Sequence, residues 1–595
     1  MVTENQSLPV QDRLVLVPTA LRALVRRSEI WLVLLACIIG ALSGVLVAAM
    51  TAVAQFLHQV LFGISATEHL SGVDSLPNKW FVVVPAVGGL LLMAVTWAYR
   101  RYRSNTPVDP IEANALHGGK MSLIDSFYIA LQTMISNGFG ASVGMEAGYT
   151  QVGSGTGSAI GEAFRLRRSD LRLLVGCGAA GAIGAAFAAP LAGAFYAFEL
   201  ILGTYTIAAL APIGLAAITG VVVNSLLVEP AHTISVTSPI GLGQSAVTTL
   251  LLLGLITAGV GIAIMRGVTA VEDLFKLSKI PVWLRPAVGG LAIGMLALIT
   301  PRILSSGHGA LSLVLDDSMP TLRALLILLV LKAAASAISL GSGFRGGLFF
   351  ASLFLGAIVG KAYVAIVALI DPALAPDPQI AAIVGMTGLA VAIIGAPLTM
   401  AFLALETTND LPLTIAVLCT AVVTSVAVRK TFGYSFATWR FHLRGEAIRS
   451  AHDVGWMFDL TVRRLMRHDV RTIHDAISIR QFRQEFSLGS TQRVIVVDDQ
   501  ERYVGIVLVA DVHSPTLQDD KKTIQELLRY KDLALLPWMN IKEAAQKFDE
   551  SESEALAVID GNATRKVVGL LTEAHTLRRY TEELEKARKD LAGDR

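Results

Sequence analysis

Glu146 is the residue whose surroundings most clearly suggest chemistry, because it lies between small residues in the stretch Gly144-Met145-Glu146-Ala147-Gly148. Small residues let neighbouring backbone approach closely. A helix that began here would present free N–H groups and the positive end of its dipole, which together bind anions. A carboxylate at this point could occupy the anion site itself and be displaced by a permeating anion, as a gate. The alternative is an acidic residue in the first turn of a helix near an interface.

A second glycine-rich stretch precedes another apolar segment, from Gly341 to Phe349, with the sequence GSGFRGGLF. It predicts a second set of exposed backbone N–H groups at a helix start. Arg345 within it either attracts anions or marks an aqueous vestibule. Two such helix starts facing each other would form a positively polarised site that needs no lysine.

An internal repeat indicates that two similar halves build this part of the chain. Residues 178–199 and 385–406 align at a constant offset of 207, and 10 of the 22 aligned positions are identical. Glu199 and Glu406 occupy equivalent positions, which favours a structural role such as satisfying broken backbone; a cation-coordinating pair is the rival interpretation. The remaining acidic candidates in the apolar region are Glu112 and Glu162.

The composition divides the chain into a membrane part and a soluble part. Only 16% of the residues are charged and 53% are hydrophobic, whereas a soluble globular protein has about 25% charged residues. Residues 451–595 hold 47 of the 96 charged residues. We therefore predict a short N-terminal segment at 1–29, a transmembrane domain at 30–445 and a soluble domain at 446–595. The net charge of +2 gives no indication of a nucleic-acid partner.

Basic clusters flank the apolar runs and predict the orientation. Arginines occur at 22–27, at 100–103, and with Lys430 near the end of the last apolar run. The positive-inside rule places all three clusters, and hence both termini, in the cytoplasm. We expect an integral protein of a bacterial inner membrane.

Glycine, proline and serine interrupt the middle of the membrane part, which predicts discontinuous helices rather than uniform spans. The predicted interruptions lie at 138–157, 176–190, 341–347 and 395–397. Broken helices around a mid-membrane site are typical of transporters. Close Gly/Ala packing without a pathway is the alternative.

These motifs, in this order, resemble the CLC family of chloride channels and chloride/proton exchangers. The resemblance runs from Ile30 to about Phe441 and rests on GMEAG at 144–148, on the stretches 189–199, 341–351 and 396–406, and on Gly-Tyr-Ser at 433–435. It implies a polytopic α-helical membrane protein of two inverted, similar halves with broken helices, acting as a homodimer in lipid.

The resemblance also implies roles for individual residues. Glu146 corresponds to the gating glutamate, and Phe349 and Tyr434 to side chains at the central anion site, with backbone N–H groups around Met145 and Leu348 completing it. Two departures matter. Thr106 or Pro107, depending on register, replaces the anion-binding serine, and proline there resembles the nitrate-preferring pattern. Leu200 stands where exchangers often carry an internal proton-transfer glutamate, which puts proton coupling by that route in question.

The soluble tail resembles a pair of CBS domains, at about 462–515 and 526–582, because strand, acidic turn, strand and helix occur twice. CBS domains that bind nucleotides end in a short conserved motif. Each copy here retains half of that motif, with Asp511 in the first copy and Thr572 in the second. Adenine nucleotide binding and a packing role in a dimer both remain open.

The sequence therefore predicts CLC-type anion transport, with chloride as the anion, gated by Glu146 in a channel or a proton-coupled antiporter, with no required cofactor, no metal site and no nucleic-acid partner. The alternatives are a CLC protein selective for nitrate or another anion, a CBS-regulated divalent-cation transporter, and a membrane sensor without transport. No catalytic triad, metal motif or phosphate loop indicates an enzyme.

Overall fold

The computed structural model describes residues 29–103, 106–228, 244–315, 320–443, 460–514, 522–579 and 581–582. The chain divides into two compact units, Met1–His452 and Asp453–Arg595. The first is almost entirely helical and the second mixes short helices with two small sheets.

The helices of the first unit are numbered in chain order. They are α1 Glu29–Phe62, α2 Val84–Tyr102, α3 Pro110–Leu116, α4 Leu123–Gly138, α5 Glu146–Ala163, α6 Arg168–Phe187, α7 Pro190–Tyr196, α8 Ile207–Leu227, α9 Gln244–Leu277, α10 Arg285–Ala297, α11 His308–Leu315, α12 Leu322–Ser342, α13 Phe349–Ile370, α14 Pro378–Ile394, α15 Pro397–Thr408, α16 Leu411–Thr431 and α17 Phe436–Leu443. Within the described ranges, seven helical segments are long and apolar enough to cross a membrane.

Reciprocal contacts relate the two halves of this unit. The sequence PAVGGL occurs at 85–90 and again at 286–291. In the structure, Gly89 of α2 packs on the backbone of Pro286, and Gly290 of α10 packs on the backbone of Pro85 in the same way. A contact that each half makes to the equivalent point of the other is what an inverted repeat produces.

Several glycines predicted to interrupt helices instead lie inside continuous ones. Helix α5 runs through Gly153, and α6 runs through Gly178, where each glycine abuts the other's backbone with no room for a Cβ atom. Gly356 of α13 and Gly385 of α14 form the equivalent contact in the second half. The prediction of breaks within 148–157 and 176–187 was therefore wrong, because these glycines allow close helix packing.

Other predicted breaks are present. Helix α6 ends at Ala188 in the left-handed conformation (φ 51°), directly before Ala189-Pro190, and α14 ends in the same conformation at Gly395 (φ 85°), directly before Ala396-Pro397. Helix α12 ends at Gly343 with φ 112°. The chain leaves one helix and starts another within a few residues at each of these points.

The C-terminal unit contains the helices α18 Val462–Leu465, α19 Ile479–Glu485, α20 Val509–Val512 and α21 Ile541–Ser551, and the strands β1 Thr472–His474, β2 Arg493–Val497, β3 Tyr503–Leu508, β4 Ala555–Ile559 and β5 Val567–Thr572. Strand β2 pairs parallel with β1 and antiparallel with β3, and β4 pairs antiparallel with β5. Leu535 bridges β4 in parallel, so it takes the place that β1 has beside β2.

Candidate functional site

Two helix starts meet at the centre of the candidate site. Helix α5 begins at Glu146 and α13 begins at Phe349, each directly after its glycine-rich stretch. The two stretches pair with each other: the Gly144 N–H donates to the Gly347 carbonyl at 2.9 Å, and the Gly347 N–H donates to the Gly144 carbonyl at 3.0 Å. The predicted meeting of two glycine-rich helix starts is thus confirmed, and a helix N-terminus of this kind favours an anion.

The Glu146 carboxylate occupies that point. Its Oε1 accepts a hydrogen bond from the Phe350 N–H of the opposite helix start at 3.0 Å. Its Oε2 is buried, and no donor to it lies among the described residues. The side chain is only 5% exposed. A buried carboxylate with one unsatisfied oxygen is expensive, and it is relieved by a proton or by movement out of the site.

Both glycines of the pair are needed for the carboxylate to fit. A Cβ atom on Gly144 would overlap the Glu146 carboxylate, and a Cβ atom on Gly347 would lie 3.0 Å from its Oε2. The absence of side chains at these two positions therefore leaves a space of the size of a carboxylate between two helix N-termini.

Buried hydroxyl and amide groups hold the two loops in place. The Ser142 N–H donates to Ser339 Oγ at 2.9 Å, and the Arg345 N–H donates to Ser136 Oγ at 3.0 Å, so each half supports the loop of the other. Asn137 Nδ2 donates to the Val143 carbonyl at 2.8 Å. These bonds preorganise the loops, because buried polar networks that are satisfied are rigid.

Aromatic rings line the space next to Glu146. The Phe349 ring lies 4.6 Å from that of Phe187 and 6.1 Å from that of Tyr196, between ring centroids. The Phe350 ring stacks on His308 at 3.5 Å and on Phe187 at 5.8 Å.

Thr106 and Pro107, the candidates for the place of the family's anion-binding serine, lie directly before α3. Thr106 is exposed and Pro107 is half-buried. Asp109 caps α3 by accepting a hydrogen bond from the Ile111 N–H at 2.9 Å. Gln151 of α5 donates to the Val108 carbonyl at 2.8 Å and so ties this segment to the helix that begins at Glu146.

Helix α17 brings the segment of Tyr434 to the same region. Phe441 and Ala437 share an apolar cluster with Val108, Tyr196 and Leu200. The Tyr434 ring itself packs against Trp439 at 5.6 Å and against Phe432 at 6.4 Å.

Each of the two repeated glutamates, Glu199 and Glu406, caps the start of a helix in the other half. Leu191 and Ala192, the first residues with N–H groups after Pro190, donate to Glu406 at 2.7 and 2.9 Å. Leu398 and Thr399 donate to Glu199 in the same manner, both at 2.9 Å. Each carboxylate satisfies the start of a helix that follows an Ala-Pro break. The structural interpretation of this pair is confirmed, and the cation-coordinating one is wrong because backbone donors occupy both oxygens.

The structure thus brings Met145, Glu146, Leu348 and Phe349 together, and it adds Phe350, whose N–H rather than that of Leu348 reaches the carboxylate. Asp109 and Tyr196 are two neighbours of the site that the sequence reasoning missed. The Asp-Pro pair at 109–110 is a helix-start signal, and Tyr196 has Leu403 as its repeat partner, which marks it as an asymmetric position.

The tail residues have partners of their own. Asp511 forms an ion pair with Arg529 at 2.8 Å. Thr572 Oγ1 accepts a hydrogen bond from the His575 N–H at 3.4 Å, at the start of the helix that follows β5.

Comparison with known families gives two matches. The family model described as "Voltage gated chloride channel" matches residues 88–429, which is more than half of the chain. The CBS domain model matches residues 462–514.

Two bacterial relatives are similar in sequence. The chain is 31% identical over 376 residues to a ClcB-like chloride channel protein of Ralstonia nicotianae, covering 62% of this chain and 87% of the relative. It is 26% identical over 404 residues to the voltage-gated ClC-type chloride channel ClcB of Escherichia coli, covering 67% and 95%.

Solved structures share the fold. A slow cyanobacterial Cl⁻/H⁺ antiporter superposes with a TM-score of 0.61 at 22% identity, over 69% of this chain and 97% of that one. A eukaryotic CLC transporter superposes with a TM-score of 0.60 at 16% identity, over 93% of this chain and 98% of that one.

Proposed function

Since the chain belongs to the voltage-gated chloride channel (CLC) family, we propose that it transports chloride across a membrane through a pathway gated by Glu146. The observation that carries this proposal is the position of the Glu146 carboxylate at the meeting point of two helix starts, with one oxygen bonded to the Phe350 N–H and the other buried without a described donor.

The gate works by competition for one set of N–H groups. When the carboxylate occupies the site, it binds as an anion would and blocks passage. An arriving chloride, or a proton that neutralises Glu146, releases the carboxylate and exposes the backbone donors of both helix starts. Transport then needs no cofactor and no covalent chemistry. Met145 and Leu348, at the cap positions of the two helices, shape the site with Phe349.

Chloride is the proposed anion. Nitrate is the alternative, because Pro107 in the place of the anion-binding serine resembles the nitrate-preferring pattern. Thr106 and Pro107 supply the cytoplasmic end of the pathway, and the segment of Tyr434 packs beside it through α17. Channel and antiporter mechanisms share this gate and differ in whether protons move with the anion.

The protein acts as a homodimer in a bacterial inner membrane, with both termini in the cytoplasm. Arginines at 100–103 directly after α2, and Arg429 and Lys430 at the end of α16, support this orientation. Exposed apolar residues on α8 and α16, including Ile207 and Leu411, supply a surface on which lipid and a second copy can pack.

The tail carries a tandem CBS pair that binds an adenine nucleotide. The strand order around β4 and β5, with Leu535 in the place of β1, supports a second copy after the matched domain. Nucleotide binding at Asp511 would replace its ion pair with Arg529, whereas Thr572 offers a hydroxyl in the second copy. Isothermal titration of the full-length protein with ATP, for wild type and for Asp511→Asn, tests this: heat of binding that is lost in the variant supports the site.

The main test is chloride efflux from liposomes, with external pH recorded at the same time. Wild type is expected to release chloride, and Glu146→Gln to alter both the rate and its pH dependence. Glu162→Gln is the matched control, because it makes the same chemical change near the other end of α5. Release that is identical in Glu146→Gln and wild type would remove Glu146 from the gate. Folded protein that releases no chloride would contradict the chloride assignment and direct the assay to nitrate and fluoride.

A further inference from the structure

A short strap of chain, residues 303–308, lies against both helix starts of the candidate site. The Ser305 N–H donates to the Gly140 carbonyl at 3.3 Å, in the loop that leads into the first helix start. Three residues later, the His308 ring stacks on the Phe350 ring at the second helix start, with 3.5 Å between the ring centroids. One segment of six residues therefore contacts both sides of the gate.

A buried lysine of α12 anchors this strap. Lys332 is fully buried, and its Nζ donates to the Ile303 carbonyl at 3.0 Å and to the Ser305 carbonyl at 2.7 Å. Ser305 has a left-handed backbone (φ 58°), which a residue with a side chain rarely adopts unless its surroundings hold it there. Both backbone groups of Ser305 are therefore bonded, one to α12 and one to the loop before α5.

The far end of the strap is fixed by a different element. Ser71 Oγ, in the connection between α1 and α2, accepts from the Gly309 N–H at 3.1 Å and from the Ala310 N–H at 3.4 Å. Within the strap, Ser306 Oγ lies 2.5 Å from His308 Nδ1, which orients the imidazole ring. The His308 ring is thus held in place from both ends of the strap.

Phe350 is the residue through which the strap reaches the gate. Its N–H donates to Glu146 Oε1 at 3.0 Å. This N–H belongs to the first turn of α13 and has no partner within that helix, so its direction depends on how the first turn is packed. The rings of His308 and Phe187 both pack on the Phe350 ring.

We propose that His308 and Lys332 are positioning residues of the gate, because the strap that they hold sets how firmly the Phe350 N–H binds the Glu146 carboxylate. This inference rests on the proposed gating by Glu146. A looser strap weakens that hydrogen bond, and a weaker bond to the ionised carboxylate favours its protonation and its displacement by chloride. Loss of the strap should therefore open the gate at a higher pH and tighten chloride binding.

Other titratable or charged groups lie near the strap and the gate. On the side of the strap these are Lys332, His58, His69 and the Arg302–Asp74 ion pair, and beside Glu146 they are Tyr149 and Tyr196. Protonation of His308 itself would also alter a pH profile, so the test has to separate the ring stack from the charge. His308→Phe keeps an aromatic ring without a titratable group, whereas His308→Ala removes both.

The experiment is chloride efflux from liposomes that carry the full-length protein, between about pH 4.5 and 7.5, with calorimetric titration of chloride. His308→Ala and Lys332→Met should each raise the pH of half-maximal flux by about 0.5–1 unit and tighten chloride binding about 3- to 10-fold. His308→Phe should stay close to wild type. His117→Ala and Lys276→Met are the matched controls, because they make the same changes at exposed positions elsewhere in the unit.

A double variant shows whether the strap acts through the carboxylate. In Glu146→Ala protein, the further substitution His308→Ala should change neither the pH profile nor the chloride affinity, since the group on which the strap acts is gone. Equal changes in both backgrounds would mean that the strap acts on the pathway directly, and the proposal would fall.

Two further results would overturn the inference and leave the proposed transport standing. One is a pH profile that is unchanged in both His308→Ala and Lys332→Met. The other is an equal shift in His308→Phe and His308→Ala, which would assign the effect to the imidazole charge. Wild-type protein that releases no chloride contradicts the proposed function, and this inference with it. If Lys332→Met elutes as aggregate, the two His308 variants decide the question, because His308 is exposed and its truncation leaves no buried cavity.

Discussion

The first and the second glycine-rich helix starts have the same backbone and different side chains. Gly144 and Gly347 make identical hydrogen bonds to each other, and both stretches lead into a buried helix. The first helix begins with Glu146, however, and the second begins with Phe349 and Phe350. In the proposed mechanism, the repeated backbone forms the anion site and the unrepeated carboxylate controls access to it.

The same distinction separates three acids that accept hydrogen bonds from helix starts. Glu199 and Glu406 are repeated, and both oxygens of each accept hydrogen bonds from helix starts. Glu146 has no equivalent in the second half, and only one of its oxygens has a described donor. The two repeated acids thus have structural partners for both oxygens, and the unrepeated acid is the one proposed to move.

The largest effect on chloride flux should come from removing the Glu146 carboxylate, which the second half of the repeat lacks. Glu146→Ala takes the competing carboxylate out of the site, so chloride flux should lose its dependence on pH between about 4.5 and 7.5, whereas wild-type flux should rise as Glu146 is protonated. Efflux from liposomes at several pH values measures this. A variant whose flux still rises at acidic pH would show that another group controls the gate.

Breaking the repeated pair should affect stability instead of gating. Glu406→Gln and Glu199→Gln each leave a helix start with a poorer acceptor, and each should lower the free energy of unfolding by about 1–3 kcal/mol. Denaturation of the purified protein in mixed micelles measures the loss, with Glu162→Gln as the reference. The pH dependence of chloride flux should be unchanged. A changed pH dependence would show that Glu199 or Glu406 takes part in gating and is not purely structural.

A methyl group at Gly347 should sharpen the comparison, because the nearest atom to it is an oxygen of the Glu146 carboxylate. The new Cβ atom would lie 3.0 Å from Glu146 Oε2, so Gly347→Ala should weaken the hold of the site on the carboxylate. Chloride should then bind about 3- to 10-fold more tightly, which corresponds to about 1 kcal/mol. Calorimetric titration with chloride tests this. Gly259→Ala is the control because that glycine faces open space.

The smallest effect concerns the repeated acids of the tail. Asp498 accepts from the Arg502 N–H and Asp560 from the Thr564 hydroxyl, and these bonds hold the pKa of each carboxyl below its usual range. A lowered pKa in the folded state adds stability above the unfolded pKa, and that stability is lost as the pH falls through the folded value. Asp498→Asn and Asp560→Asn should therefore slightly flatten the acid side of the unfolding profile of the full-length protein. A steeper profile would contradict a stabilising role for the hydrogen bonds that Asp498 and Asp560 accept. The expected effect is small because both acids are exposed.

Local sequence was sufficient for much of the architecture. The charge distribution separated a membrane part from a tail, and the glycine-rich stretch around Glu146 predicted a helix start where α5 begins. The repeat at 178–199 and 385–406 predicted that Glu199 and Glu406 play one role. A second repeat, PAVGGL, was equally visible at 85–90 and 286–291 and was missed.

The sequence by itself determined where several helices start, which acids are repeated and which is unique, because caps, glycines and repeats act over a few residues. Only the tertiary structure decided the partners. It joined Gly144 to Gly347, Glu199 to Leu398, and Ser142 to Ser339, across separations that no local pattern encodes. It also decided the two uses of glycine, since Gly153 serves close packing while Gly395 ends a helix. The physical reason is that a glycine allows both, and the neighbouring helix selects one.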